Sequence, residues 1–163
     1  MIDYRIEPFA EEHAQTILTW VESPEDREAW ASRADLELTA TLFRDWHSDP
    51  DVHPYVLTEN GRLCAYGEVW TDDAAAEAEL AHLVVAPEAR GRGIGRRLVA
   101  LLSRRARELG FEEIWVRVLS TNEAALATYA AAGFVRAAPE QEAGFNAGQP
   151  HSYVWMRLAE GPI

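Results

Sequence analysis

The sequence predicts a mixed α/β fold: a central, mostly antiparallel sheet of six to seven strands, with helices on both faces. Three observations carry that expectation. Seven short segments read as strands, and two of them are joined by the tight-turn pair Asn60-Gly61. Helical periodicity separates the later strands, which demands crossover connections beside the hairpins. No internal repeat or low-complexity linker interrupts the chain, so residues 1–163 are expected to form one domain.

Residues 2–8 alternate Ile2, Tyr4 and Ile6 and read as a strand. Helices are expected over 11–20, 25–31 and 36–47. The second opens on Ser23-Pro24-Glu25-Asp26: a capping hydroxyl, proline in the first turn, then acids at the positive end of the dipole. Strands 53–59 and 62–71 flank Asn60-Gly61, and a third, 77–85, follows the acidic turn at Asp72 and Asp73. Ile94, Leu98, Leu101, Leu102 and Leu109 share one helical face, and Gly110 stops that helix. A strand over 112–118 follows. Ser120-Thr121-Asn122-Glu123 has capping-box spacing and opens a helix that ends near Gly133. Residues 134–137 and 152–158 read as strands, with 139–151 as a loop.

Charge limits the functions available. The net charge is −12, and all fifteen basic residues are Arg. Seven of them lie between Arg90 and Arg107, a window without an acid. A local basic site in an acidic body suits a small polyanion and excludes the broad basic face of a nucleic-acid binder. Acidic surface elsewhere suits a cationic second substrate, or simply keeps the chain soluble. No apolar run is long enough to span a membrane, and the N-terminus lacks signal-peptide character. The single Cys64 has no disulfide partner, so a cytoplasmic location is expected. The five His show no metal-ligand spacing, and no metal is expected.

The most informative stretch runs from Leu83 to Arg96. An apolar strand ends at Pro87, turns through Gly and Arg, and enters a helix at once. Amides at a helix start lack intrahelical partners, the dipole adds positive potential, and glycine removes the Cβ atoms that would hold an anion away. A Walker loop needs Lys, which this chain lacks, and Leu98 stands where a dinucleotide fingerprint requires its third glycine. The pattern is instead Arg90-x-x-Gly93-x-Gly95.

At these residues the chain resembles the GNAT superfamily of N-acetyltransferases. The hallmark V-x-P-x-x-R-G-x-G-I-G is filled by Val85, Pro87, Arg90, Gly91, Gly93, Ile94 and Gly95. A second family segment follows in Asn122, Ala125, Tyr129 and Gly133-Phe134. The resemblance implies acetyl-CoA or another acyl-CoA as donor. Its pyrophosphate would sit on the amides of Gly91, Arg92, Gly93, Ile94, Gly95 and Arg96, beside Arg90. Its pantetheine arm would lie along Leu83, Val84 and Val85 like an added strand. Asn122 would hydrogen-bond that arm, or merely cap its helix.

Acyl transfer to an amine needs a proton acceptor for the amine, a donor for the oxyanion and an acid for the leaving thiolate. The resemblance makes Tyr129 the acid, with core packing as its other use. It places the oxyanion donor at a backbone amide near Leu83, on a β-bulge that leaves no signature in these residues. Glu79 matches a position where several family members carry a carboxylate base; an exposed strand-end acid beside Glu77 is the competing use. Many relatives that acetylate protein N-termini carry Glu where this chain has Arg117, which turns the expectation away from peptide N-termini. Arg117 reads as a strand-face residue, with an acidic substrate group or Glu79 as possible partners.

His82 lies three positions from Glu79, so in a regular strand it faces the opposite side and reads as packing. Trp20, Trp30 and Trp46 belong to helices that wall the acceptor pocket in the superfamily, and core packing is expected for most of them. Trp70, Trp115 and Trp155 read as core. The expected enzyme is an acetyl-CoA-dependent N-acetyltransferase acting on a primary amine, a small cationic molecule or a protein amine, by direct attack in a ternary complex. A monomer or homodimer is expected. Its rival is a non-catalytic acyl-CoA sensor on the same fold.

Overall fold

A computed structural model describes residues 1–159. Seven strands form one sheet in the order β1-β2-β3-β4-β5-β7-β6. They are β1 (Tyr4–Pro8), β2 (Val52–Glu59), β3 (Arg62–Asp72), β4 (Glu77–Val85), β5 (Glu113–Leu119), β6 (Phe134–Arg136) and β7 (Tyr153–Leu158). Every neighbouring pair is antiparallel except β4 with β5. The hairpin at Asn60-Gly61 forms with both residues at positive φ, +50° and +80°, as a two-residue turn between twisted strands requires.

Helices cover both faces. Gly67 points toward α4 (Ile94–Glu108), where an added Cβ would lie 2.7 Å from Leu102 Cδ1. Ile94, Leu98, Val99 and Leu102 of α4 are buried there. Leu109, expected on the same stripe, is 41 % exposed, because the helix ends one residue before it and the chain turns at Gly110. The opposite face is covered by α2 (Pro24–Ala31) and α3 (Leu42–Trp46), with Ser23 accepting from the Asp26 amide as the expected cap. The helix expected over 11–20 is a short α1 (Ala14–Leu18) between two 3-10 turns.

Three further expectations change. The helix expected over 36–47 is confined to α3, which begins only at Leu42. Asn122, rather than Ser120, caps α5 (Glu123–Ala131): its Oδ1 accepts from the Ala125 amide at 3.2 Å. The segment expected as a loop contains α6 (Pro139–Asn146), with Pro139 at its first position and Glu140 and Glu142 in its first turn.

The sheet is nearly cut through at its middle. β4 and β5 pair only at Glu77↔Glu113, Ala78↔Ile114 and Glu79↔Trp115. Beyond Glu79, β4 stays with β3 while β5 continues along β7 to Leu119. The two central strands therefore diverge toward the Gly/Arg loop. Within β4 the register slips: Tyr66 faces Val84 and Glu68 faces Ala81, so His82 and Leu83 together oppose Gly67. His82 takes φ +52°. This is a β-bulge, which re-aims side chains and disrupts the local ladder.

Candidate active site

The loop after β4 is built from its glycines. Gly91 and Gly93 sit at φ +76° and +77°, where other L-residues are strained. Gly93 is the N-cap of α4, and the Arg97 amide makes the first helical bond, to the Gly93 carbonyl at 3.1 Å. The amides of residues 91–96 ahead of it find no acceptor among the described residues. They form a row of unsatisfied donors at the positive end of a fifteen-residue helix.

These donors border a groove of about 600 Å³. Leu83, Val84, Val85, Arg90, Gly91, Gly93, Ile94, Gly95, Arg96, Asn122 and Tyr129 line it, so nearly all the expected donor-binding residues share one cavity. Arg92 does not line it: its guanidinium is turned to Glu59 at 2.7 Å, leaving its backbone to face the loop. Arg90 is anchored to the Val85 carbonyl at 3.2 Å and to Asp26 at 3.5 Å.

A smaller cavity of about 160 Å³ opens where β4 parts from β5. Glu79, His82, Leu83, Arg117, Asn122, Tyr129, Tyr153, Trp30 and Trp70 are among its walls. Tyr129 is buried at 8 % exposure. Burial, with the charge of Glu79 adding to it, raises its phenol well above the ordinary tyrosine value, so it keeps its proton. Glu79 is not alone. Arg117 donates to both its oxygens, Nε at 2.6 Å and Nη2 at 2.8 Å, and lies over the Trp155 ring at 4.7 Å. Of the uses weighed for Arg117, pairing with Glu79 is the one observed.

His82 packs among Trp46, Trp70 and Trp30 as expected of a structural residue, but it departs from the side expected for it. The bulge removes strict alternation and puts its ring on the side of Glu68 and Glu79. Its Nδ1 lies 3.1 Å from each oxygen of Glu68, a carboxylate with no exposed surface. Glu68 also accepts from Trp70 Nε1 at 2.7 Å and from the Tyr66 hydroxyl. Burial opposes its ionisation, but the hydrogen bonds and charge of His82, with those of Tyr66 and Trp70, prevail and hold its carboxyl below the usual range. Trp46 stacks on His82 at 3.9 Å, and Trp30 Nε1 donates to the His82 carbonyl at 2.7 Å.

A third cavity, about 820 Å³, adjoins the second through Trp70 and Glu79. Asp49, Asp51, Asp72 and Glu77 lie along it, with Trp70, Trp115, Trp155 and Phe145. The three strand tryptophans expected in the core thus also wall a groove. Burial and the neighbouring Glu113 and Asp72 raise the Glu77 carboxyl. Cys64 is buried and lines none of the three cavities. Among the described residues, no cluster of three or more His, Cys, Asp or Glu is arranged for a metal ion, and no helix is long and apolar enough to cross a membrane.

A splayed mixed sheet with a free-amide loop at the head of the following helix defines the class of fold. The comparisons agree. The model of the Acetyltransferase (GNAT) family matches residues 14–134, and the chain belongs to that family. The [ribosomal protein bS18]-alanine N-acetyltransferase of Escherichia coli strain K12 is 32% identical over 80 residues, covering 49% of this chain and 53% of the relative. The chain thus spans about half the length of that curated relative. Among solved structures, the spermidine N-acetyltransferase of Vibrio cholerae, in complex with CoA and spermine, superposes with a TM-score of 0.73 at 16% identity, covering 94% of this chain and 92% of that one. The aminoglycoside acetyltransferase AAC(6')-Ib, in complex with CoA and kanamycin, gives 0.72 at 17% identity, covering 95% and 94%. At such identities these two likenesses establish the fold.

Proposed function

We propose that the chain transfers an acetyl group from acetyl-CoA to a primary amine, by direct attack within a ternary complex. The parting of β4 from β5 beyond Glu79, in line with the unsatisfied amides of residues 91–96, carries the reading. The diphosphate takes those amides, and the pantetheine arm runs along Leu83 to Val85 into the gap. The thioester then lies between Tyr129 and the bulged backbone at His82 and Leu83, which supplies the oxyanion donor. Tyr129, protonated because it is buried, hydrogen-bonds the leaving sulfur. Glu79 borders the same gap with both its oxygens held by Arg117, so the proton acceptor for the amine is either Glu79 after that pair breaks or another group on the cavity wall.

Acids along the third cavity support a small cationic amine as acceptor, since Asp49, Asp51, Asp72 and Glu77 form no ion pair among the described residues. Cys64, with its thiol pushed up to about 11 chiefly by burial, is a poor nucleophile, which supports direct transfer over an acyl-enzyme. A cytoplasmic site of action fits acetyl-CoA as donor. The test is thiol release from acetyl-CoA with a panel of small amines and peptides. Turnover on an amine supports the reading; tight coenzyme binding with no thiol released on any acceptor makes the chain a sensor instead.

A further inference from the structure

We propose that His82, held by the buried carboxylate of Glu68, is the proton acceptor for the attacking amine. This rests on the acetyl-transfer reading and assigns its base. The bulge places His82 on the wall of the cavity that Glu79, Leu83 and Tyr129 also line. A carboxylate only accepts, so the bond to Glu68 puts the ring's proton on Nδ1 and leaves the Nε2 lone pair free. Nε2 has no hydrogen-bond partner among the described residues. The ring cannot drift: Trp46 stacks on it, Trp70 meets it edge-on at 5.3 Å, and Trp30 holds its carbonyl. Glu68 cannot drift either, with Tyr66 and Trp70 on its oxygens.

Glu79 compares poorly for this task. Both its oxygens carry Arg117 protons, and that pair must break before the carboxylate can take another. His82 needs no displacement. The charged and titratable groups around it are Glu68 and Tyr66 from β3, His47 following α3, Glu79 on its own strand, Arg117 from β5, Tyr129 from α5 and Tyr153 from β7. Glu68 fixes the tautomer and the orientation of the ring, so it is a positioning residue, while His82 touches the substrate.

The step balances as follows. Nε2 takes one proton from the ammonium, and the freed nitrogen pair bonds to the thioester carbonyl carbon. The C–S bond breaks, and the departing thiolate takes the Tyr129 proton. The nitrogen's second proton restores Tyr129, and the imidazolium proton leaves to solvent. The products are the amide, the free thiol and one proton.

The test compares the full chain with His82→Gln, Glu68→Gln and Glu79→Gln. Thiol release is followed from pH 5.5 to 9.5 using the best amine from the panel, and coenzyme affinity is measured by calorimetry. In the parent, kcat/KM rises along an acidic limb that reports the imidazole. His82→Gln is expected to lower kcat by about 10²-fold or more, to bind coenzyme within threefold, and to lose that limb. Glu68→Gln is expected to keep the limb but move it to lower pH, because the imidazolium has lost its neighbouring anion. That shift carries the test should His82→Gln fail to fold. Glu79→Gln is expected to keep the limb in place. A limb that persists in His82→Gln with kcat within threefold, or that vanishes only in Glu79→Gln, overturns the proposal while leaving acetyl transfer intact. A parent that releases no thiol on any amine refutes the acetyl-transfer reading itself.

Discussion

Replacing Gly93 by alanine and by aspartate separates what the backbone requires from what the ligand requires. Gly93 sits at φ +77°, and a Cβ added there meets no atom within 4 Å. Gly93→Ala therefore suffers only left-handed backbone strain, about 1–2 kcal/mol. For a chain of this size that lowers Tm by about 2–8 °C. Aspartate visits this conformation more readily than alanine, so Gly93→Asp loses no more stability. Its carboxylate, however, stands among the free amides of residues 91–96 and competes with the diphosphate for them. Two like unit charges 4 Å apart repel by about 4 kcal/mol at an effective dielectric of 20. That corresponds to a loss of about three decades in affinity. Calorimetric titration with CoA near 0.15 M salt, beside thermal melts of both variants, measures the contrast. An aspartate variant that binds CoA within fivefold of the alanine variant would refute the placement of the diphosphate.

Tyr129→Phe removes one hydroxyl from a buried ring that packs on Phe134 at 5.7 Å. It is expected to lower kcat about tenfold or more while leaving the CoA Kd within threefold; equal loss in both would make the hydroxyl a binding group. Cys64, at 5 % exposure and with its pKa near 11, is expected to resist iodoacetamide at pH 8 in the folded chain and to label rapidly in urea. Labelling of the native chain at the rate of a free thiol would contradict its burial. His47, whose pKa is lowered chiefly by burial, charges less readily in the folded chain than in the unfolded one. The unfolded state therefore binds the extra proton first, and this group removes stability as pH falls below about 6.5. Melts from pH 5 to 8 are expected to show a Tm decline beginning there that is weaker in His47→Gln; an identical decline in both would place its origin elsewhere.

The Gly/Arg loop and the groove beside it were legible because local backbone chemistry dictates them. Val85, Pro87 and the alternating Gly91, Gly93 and Gly95 can hardly serve another turn, and their consequences stay within one strand, one loop and one helix. The acceptor half depends on contacts distant in the chain. Whether His82 faces Glu68 or the opposite layer is decided by one extra residue in β4. Gly67 opposes that residue, and Leu102 presses on Gly67 from α4. Strict alternation has no means of registering such a slip. The pairing of Glu79 with Arg117 joins residues 38 positions apart across the three-residue ladder between β4 and β5. Trp115 and Trp155 are buried as their strand positions suggest and Trp70 is half-buried, and all three also wall a groove because the strands that carry them present them on one face of the sheet. The helix α6 did leave a signal: Ala138-Pro139-Glu140 is a serviceable start, masked by Gly144 and Gln149.

The brief ladder between β4 and β5 divides the molecule into two half-sheets that share little main-chain bonding. Ordinarily an interior strand margin left bare invites another chain to fill it. Here the bare margin faces inward, between α2 and α5, where only a slender extended molecule can enter. A thioester carrier seated there would act as a removable eighth strand, stitching the halves together while it is loaded and letting them relax once it departs. Rigidity in this chain would then be borrowed from the molecule it binds.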